Sequence, residues 1–459
     1  MIVRNEEANL AACVGAVADL VQEIVIVDTG STDRTREIAL GLNARVYDLP
    51  WADDFSAARN ESLRRATGRW SFWLDADDRI DEDNRRRLRS VFAELADPKT
   101  AYVMQCLCPK KDQAGVASFD HIRLFPRDPE IRWRYRVHEQ ILPALEEHGV
   151  CCRRTDVNIF HTGYQDHDLL VRKHERNLRL LHLQNQEKPN DPFTIFYLGW
   201  TYQELDRLAE AVECFRESLR LASPAATFVP KTYALMTRVL RQMGRPAEAL
   251  DAAREGLTHF PDEPELLYQH AWMLYLHGDL YGAETHLLRL LQPVPPSETS
   301  LSLGVDPGLR SYVTRISLAI VFRDQGRYYE AEAQWQAVLV EKPEVTDALL
   351  GLGELYLAQG RWAEMEEILA RLEHNPKTMV QGLVLQAQRL LAFRDFDGAR
   401  AVLATAISLA PKALGPRLVL SRVFWQEGRD RDATIQALRD VLTIDPNHPE
   451  ARANLSQLS

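Results

Sequence analysis

The chain has 459 residues, 46% of them hydrophobic and 26% charged, an ordinary globular composition with material for two to four domains. A formal net charge of −11 argues against a nucleic-acid-binding surface as its main function. No run approaches the roughly 18 apolar residues of a membrane span, no signal-peptide-type leader is legible, and the six cysteines form no pair of C-x-x-C units, which fits a reducing cytoplasm.

Met1-Ile2-Val3 reads as the end of a strand that looks clipped at its start, as if the true N-terminus lay upstream. Arg4-Asn5-Glu6-Glu7 follows, then a helix through Leu10, Val14, Val17 and Val21 at a spacing near 3.6. Glu23–Asp28 is a β-branched run that ends in a carboxylate, and Thr29-Gly30-Ser31-Thr32-Asp33 is turn chemistry leading into a helix over 36–42. Ala44–Tyr47 is a third, short strand. This alternation predicts a right-handed parallel α/β sheet. In Asp53-Asp54-Phe55-Ser56-Ala57-Ala58-Arg59-Asn60, Ser56 can cap a helix that carries Arg59 back toward the sheet; a solvated helix residue is the plainer reading of Arg59.

Trp70-Ser71-Phe72-Trp73-Leu74 is short enough for a buried strand, and Asp75-Ala76-Asp77-Asp78 ends it abruptly. Carboxylates entering a core would meet a large desolvation cost, so they belong at the strand's exposed end, where ligands bind in open α/β sheets. Asp75 and Asp77 are two apart and can aim at one hard cation that substrate phosphates complete; a solvated turn with Asp as helix cap is the plain alternative. Glu82–Leu95 is an amphipathic helix whose solvated face carries Arg85, Arg86 and Arg87. Strands follow over Ala101–Cys108 and His121–Phe125, a hairpin around a Lys-Asp-Gln-Ala-Gly loop, then over Trp133–Val137 and Asp156–Phe160, with a short helix over Gln140–Glu147 between the last two. His138-Glu139 and His161 stand at strand ends, although a lone histidine is more often structural.

The second half is periodic. Ala211, Ala249, Ala283, Ala331, Met365, Ala399 and Ala433 recur with spacings of 38, 34, 48, 34, 34 and 34, the irregular ones marking insertions near Ala222–Pro230 and Pro296–Gly308. Twelve residues after these positions, or within one of that place, stands a proline (Pro224, Pro261, Pro295, Pro343, Pro376, Pro411, Pro446), and five before most of them a glycine. Small residues let two helices approach, glycine makes the turn between them and proline ends the second. A 34-residue helix-turn-helix period is the tetratricopeptide signature, and about seven units stack into a superhelix with a concave binding face.

The N-terminal motifs together resemble the inverting family 2 glycosyltransferases of GT-A fold: Met1–Glu7, Ile26–Asp33, Phe55–Asn60, and Leu74–Asp78, the last resembling that family's D-x-D. The resemblance is to the bacterial subgroup fused to tetratricopeptide repeats. It implies a GT-A domain over residues 1–165, a linking helix over 166–189 and a repeat solenoid over 190–459. It also implies a hexosyltransferase-type enzyme using a nucleotide-sugar donor, most often a UDP-sugar, with a divalent cation (Mn²⁺ or Mg²⁺). The acceptor would be a peptide, protein or cell-surface glycan. By family position Asp28 would contact the base, Arg59 the base or ribose and Asp75 the ribose, with Asn5 and Asn60 on the donor side. Asp77 would hold the cation, with Asp75 beside it and His161 as a further cation or phosphate contact. The family's usual acidic base motif is not obvious; Glu139 is the residue chosen for the base, with His138 next to it. The expected setting is cytoplasmic or peripheral at the inner membrane face, with the repeats selecting the acceptor or joining two copies. The rival reading is a non-catalytic repeat scaffold whose N-domain is degenerate.

Overall fold

The computed structural model describes residues 1–109, 116–163, 167–293 and 306–458. The Lys-Asp-Gln-Ala-Gly loop, Tyr164, Pro295 and most of the second insertion lie outside the described residues. The described chain forms two compact units, Met1–Ser311 and Tyr312–Ser459.

The first unit opens with a small α/β layer: β1 (Ile2–Val3), α1 (Leu10–Gly15), β2 (Val25–Asp28), α2 (Thr35–Gly41) and β3 (Arg45–Asp48). The three strands are parallel in the order β1-β2-β3, as the alternation predicts. Leu10 and Val14 of α1 pack on Val3, Ile26 and Ala76, with Ala39 and Ala44 closing the cluster. The next elements are α3 (Phe55–Arg65), β4 (Trp70–Phe72), β5 (Asp78–Arg79), α4 (Glu82–Ala93), β6 (Thr100–Pro109), β7 (Val116–Pro126), α5 (Leu142–Glu147) and β8 (Cys151–His161). They build a mixed sheet in the order β4-β7-β6-β8-β5. The Trp70 strand therefore joins this second sheet, antiparallel to β7, rather than the parallel one.

Strand β6 is buried on both faces, which the two-residue alternation of a strand makes possible. Ala101 and Val103 pack with Ile122, Phe125, Trp133 and Leu145 on one side, while Tyr102 and Met104 pack with Leu74, Leu88 and Ile159 on the other. Each such large side chain contributes about 1.5–3 kcal/mol by leaving water. Three local expectations change, the first at α1, which ends at Gly15 and leaves Val17 in the turns that follow and Val21 beyond them. Asp54, not Ser56, caps α3: its side chain accepts from the Ala57 amide, and Ser56 Oγ donates to it at 2.7 Å. Residues 133–137 form no strand; Arg134 and Gln140 exchange backbone hydrogen bonds at 2.9 Å across a tight loop in which Tyr135 (φ 76°) and His138 (φ 54°) are left-handed.

Helices α6 (His167–Glu187), α7 (Pro192–Glu204), α8 (Leu208–Leu221), α9 (Val229–Gln242), α10 (Pro246–His259), α11 (Pro264–Leu276) and α12 (Leu280–Leu290) complete the first unit's helical part. The second unit continues with α13 (Tyr312–Asp324), α14 (Tyr328–Glu341), α15 (Thr346–Gln359), α16 (Trp362–His374), α17 (Met379–Ala392), α18 (Phe396–Leu409), α19 (Leu414–Glu427), α20 (Arg431–Ile444) and α21 (Pro449–Leu458). Ala211, Ala249, Ala283, Ala331, Met365 and Ala399 are fully buried where paired helices meet. In the last unit Thr434 takes the buried place and Ala433 stands beside it. The residue five before the marker lies in the left-handed region in each unit, and where glycine is absent Asp206 (φ 57°) and Arg394 (φ 60°) adopt it.

That conformation costs a non-glycine residue about 1–2 kcal/mol, so Arg394→Gly should stabilise the full chain by up to ~1 kcal/mol once the entropy of the unfolded glycine is counted. Gly360→Ala, at φ 67°, should destabilise it. Denaturant midpoints read both, and equal midpoints for the two variants would refute the account of the turn.

Candidate functional site

The acidic run leaves β4 at Phe72 and returns as β5 at Asp78, and a single turn in between carries Asp75 and Asp77, both half-buried. The turn is built on Asp78. Its carboxylate is fully buried, accepts the Asp75 amide at 2.8 Å and the Arg123 guanidinium at 2.8 Å through Oδ2, and lies 3.0 Å from His161 Nδ1 through Oδ1. The β5–β8 ladder sets Asp78 opposite His161, and β7 brings Arg123 in beneath. Arg123, also fully buried, lies with its guanidinium carbon 3.8 Å from the centre of the Trp73 ring.

Arg59 reaches the same place from α3. Its Nη2 donates to Asp75 Oδ1 at 3.0 Å and its Nε to Glu139 Oε1 at 2.5 Å, and its guanidinium carbon lies 4.1 Å from the Trp73 ring centre. Such charge-assisted pairs, made by a buried guanidinium to partly buried carboxylates, fix geometry more firmly than exposed ones do. Burial opposes ionisation of Asp75, but the Arg59 and Arg123 charges outweigh it and hold the carboxyl well below the usual range. Asp77 behaves oppositely: burial pushes its carboxyl up, and the Asp75 and Asp78 charges add to this against the relief from His161. His161 is opposed by burial, yet the Asp78 hydrogen bond and the charges of Asp77, Asp78 and Asp75 lift it to about 9.

The residues fit a divalent cation. A Cβ on Gly163 would overlap Asp77 Oδ2 and lie 3.0 Å from His161 Nε2, so those two atoms border one space that glycine keeps open. Asp78 holds the other ring nitrogen of His161, as a carboxylate does behind a metal-binding histidine. Asp78, Cys106 and His161 also bring potential ligand atoms within 4.8 Å of one another, but Arg123 Nη2 lies 3.7 Å from Cys106 Sγ and Arg123 Nη1 2.8 Å from Asp78, so a fixed cation already borders that group.

Asp28 ends β2 with Oδ1 accepting the Gly30 amide at 2.9 Å and the Ser31 amide at 2.7 Å. Asn5, left-handed at φ 56°, accepts the Thr32 amide at 2.8 Å and donates its own amide to Ser31 Oγ at 3.0 Å, so it shapes the same loop. Asn60 spends both ends of its amide on the Trp133 backbone, at 2.9 and 2.8 Å, and serves the scaffold. The His138 ring stacks on Tyr197 of α7 at 3.8 Å, burial lowers it to about 3, and its Nε2 meets no hydrogen-bond partner among the described residues. Arg86, paired with Asp83, and Arg87, which donates to the Asp156 carbonyl, lie on a solvated helix face as expected, whereas Arg85, paired with Asp19, is half-buried with its Nε enclosed. Sequence reasoning missed Arg123, Asp78 as an anchor, and Gly163; the adjacent aspartate was visible, whereas the other two acquire meaning only through strand pairing.

Arg123→Met should strand the buried Asp78 carboxylate and cost roughly 3–5 kcal/mol; Arg123→Met with Asp78→Asn should recover part of the loss in a denaturation series. An additive double variant would contradict the pairing. Gly163→Ala should weaken Mn²⁺ affinity about 10–100-fold by calorimetry with the melting temperature nearly unchanged, and unchanged affinity would rule out the space beside Gly163.

Comparison with known proteins bears on this geometry. A model of the glycosyl transferase family 2 matches residues 1–153. Tetratricopeptide-repeat models match 196–224, 230–273, 316–376 and 384–449. A TPR repeat-containing protein of Synechococcus elongatus is 33% identical over 232 residues, 49% of this chain and 56% of that protein. The prophage-derived glycosyltransferase SunS of Bacillus subtilis is 25% identical over 225 residues, 48% of this chain and 52% of that one. An uncharacterized glycosyltransferase of Rickettsia typhi is 29% identical over 93 residues, 20% of this chain and 32% of that one. The chain spans about half the length of the first two.

Proposed function

From a family 2 glycosyltransferase domain of GT-A type joined to tetratricopeptide repeats, we propose that this chain moves a hexose from a nucleotide-diphosphate donor, a UDP-sugar, to a peptide, protein or glycan acceptor with inversion. The observation that carries the reading is the Arg59 bridge, which places the donor-side Asp75 and the candidate base Glu139 on one guanidinium. Asp28 and the Asn5 loop form the nucleotide side, and Asp75 faces the ribose.

Asp77 and His161 would hold the cation, Mn²⁺ or Mg²⁺, with Asp75 nearby. When bound, the cation would neutralise charge that develops on the departing diphosphate. The protein's own groups do the rest. Asp78 and Arg123 keep the acidic turn rigid, so the cation ligands need not reorganise. Glu139 keeps Oε1 on Arg59 and takes the acceptor's proton on Oε2 as the acceptor attacks. His138, half-buried and neutral, positions that turn. The six free thiols suit a reducing compartment, so a cytoplasmic enzyme, working in solution or at the inner membrane face, is part of the proposal. Among the described residues no helix is long and apolar enough to cross a membrane. The repeats would select the acceptor or join two copies.

A UDP-sugar panel with Mn²⁺ tests the reading. Asp77→Asn should keep the fold and lower donor turnover about 10²–10³-fold; unchanged turnover across a Mn²⁺ titration would remove Asp77 from the cation site. Glu139→Gln should lower transfer about 10²–10⁴-fold with UDP affinity nearly constant, because a base acts only when the acceptor attacks. If affinity and turnover fell together, Glu139 would be a donor-site residue instead.

A further inference from the structure

The loop that carries Glu139 is held in an unusual conformation by contacts from several elements. Tyr135 and His138 are both left-handed within four residues, at φ 76° and 54°. Such conformations cost a non-glycine residue of order 1–3 kcal/mol and persist only where the surroundings impose them. The surroundings here are helical and come from beyond the α/β part. The Arg136 amide donates to Gln184 Oε1 of α6 at 2.7 Å, and Gln184 Nε2 donates to Thr194 Oγ1 of α7 at 2.7 Å. Tyr135 packs on Phe193 at 4.5 Å between ring centres, and His138 stacks on Tyr197 at 3.8 Å with the rings within 11° of parallel. The Arg136 guanidinium pairs with Glu187 and donates to the Asp53 carbonyl at 3.0 Å.

Helix α6 also grips the start of α3, which carries Arg59. Arg179 makes a two-pronged pair with Asp53 at 2.6 and 2.7 Å, and the Arg176 guanidinium carbon lies 5.0 Å from the Phe55 ring centre. The Phe55 amide donates to the Arg136 carbonyl at 2.8 Å, joining the two gripped segments. Helix α7 is not an accessory of the α/β domain: the matched repeat begins at residue 196, inside it. Tyr197 itself is buried, its phenol pushed up by burial and by the Glu139 charge, so it presents a neutral ring to a neutral imidazole.

We propose that the first repeat helix is built into the transfer site, with Tyr197 as a positioning residue whose stack on His138 holds the left-handed turn and so fixes Glu139 against Arg59. The catalytic consequence rests on the transferase reading above; the hold of α7 on the loop does not. A cut after residue 185 would then remove the support of the base along with the repeats.

The test uses the full chain with Tyr197→Leu and Tyr197→Phe. Hydrogen exchange at the Arg134, Arg136 and Gln140 amides should rise about tenfold or more in Tyr197→Leu, with the amides of β6, β7 and β8 as protected as before. Turnover of transfer should fall about 10²-fold with UDP affinity within about twofold, as expected of a misplaced group and not of a lost binding contact. Tyr197→Phe, which keeps the stacked ring, should restore both. If Tyr197→Leu unfolds the sheet, Phe193→Leu takes its place with the same readings. Unchanged exchange in the loop would overturn the proposal whatever the donor, and so would an equal fall in turnover and UDP affinity. Inactivity of the unaltered chain on every donor would overturn the transferase reading, while loss of loop protection would still uphold the hold of α7 on the loop.

Discussion

The site depends on two arginines that sit where arginines are costly. Arg59 and Arg123 are each nearly or wholly buried, and both guanidiniums lie against the ring of Trp73. Arg59 binds Asp75 of the acidic turn and Glu139 of the loop before α5, and Arg123 binds Asp78. Removing a buried charge from water costs several kcal/mol, and only partners of fixed geometry offset it. The partners are therefore constrained as tightly as the arginines, and the acidic turn, the Glu139 loop and the ends of β5 and β7 become one rigid object. What this frame leaves relatively uncompensated is Asp77, whose carboxyl is pushed up by burial and by its like-charged neighbours. A carboxylate in that condition beside an open space is suited to a cation.

The frame also relates the two parts of the first unit. The α/β part could by itself supply Asp28, Asp75 and Asp77, the first from the end of β2 and the other two from the turn between β4 and β5. It does not by itself hold the left-handed turn at Tyr135 and His138, for which Gln184, Phe193 and Tyr197 are recruited from helices. A helix that both starts a repeat array and supports the Glu139 loop gives a direct physical link between whatever occupies the repeats and the place where an acceptor would react.

Much of this was legible in the amino-acid order, for identifiable reasons. The β-branched run ending in Asp28 and the aromatic run ending in Asp75 are local patterns; Asp28 closes β2, and Asp75 stands in the turn just past β4. The repeat register was legible because a 34-residue period constrains many positions at once; it slipped only at Ala433, where Thr434 is the buried residue. Trp133–Val137 misled because alternating apolar and charged residues imitate a strand. In fact Trp133 goes into the core with Phe125, Tyr135 meets Phe193, and left-handed backbone at Tyr135 and His138 breaks the ladder. Arg123, Gly163 and Tyr197 carried no local signal. Their roles come from pairings across 45 residues for Arg123 and Asp78 and from the spatial approach of α7, which no short motif encodes.

The central claim is that the acidic turn is a cation-assisted nucleotide-diphosphate site. Calorimetric titration of UDP into the full chain, with Mn²⁺ and then with a chelator in its place, measures this most directly. The account predicts saturable one-to-one binding that weakens at least about tenfold when the cation is removed. UDP binding of equal strength in both conditions, or none in either, would contradict it.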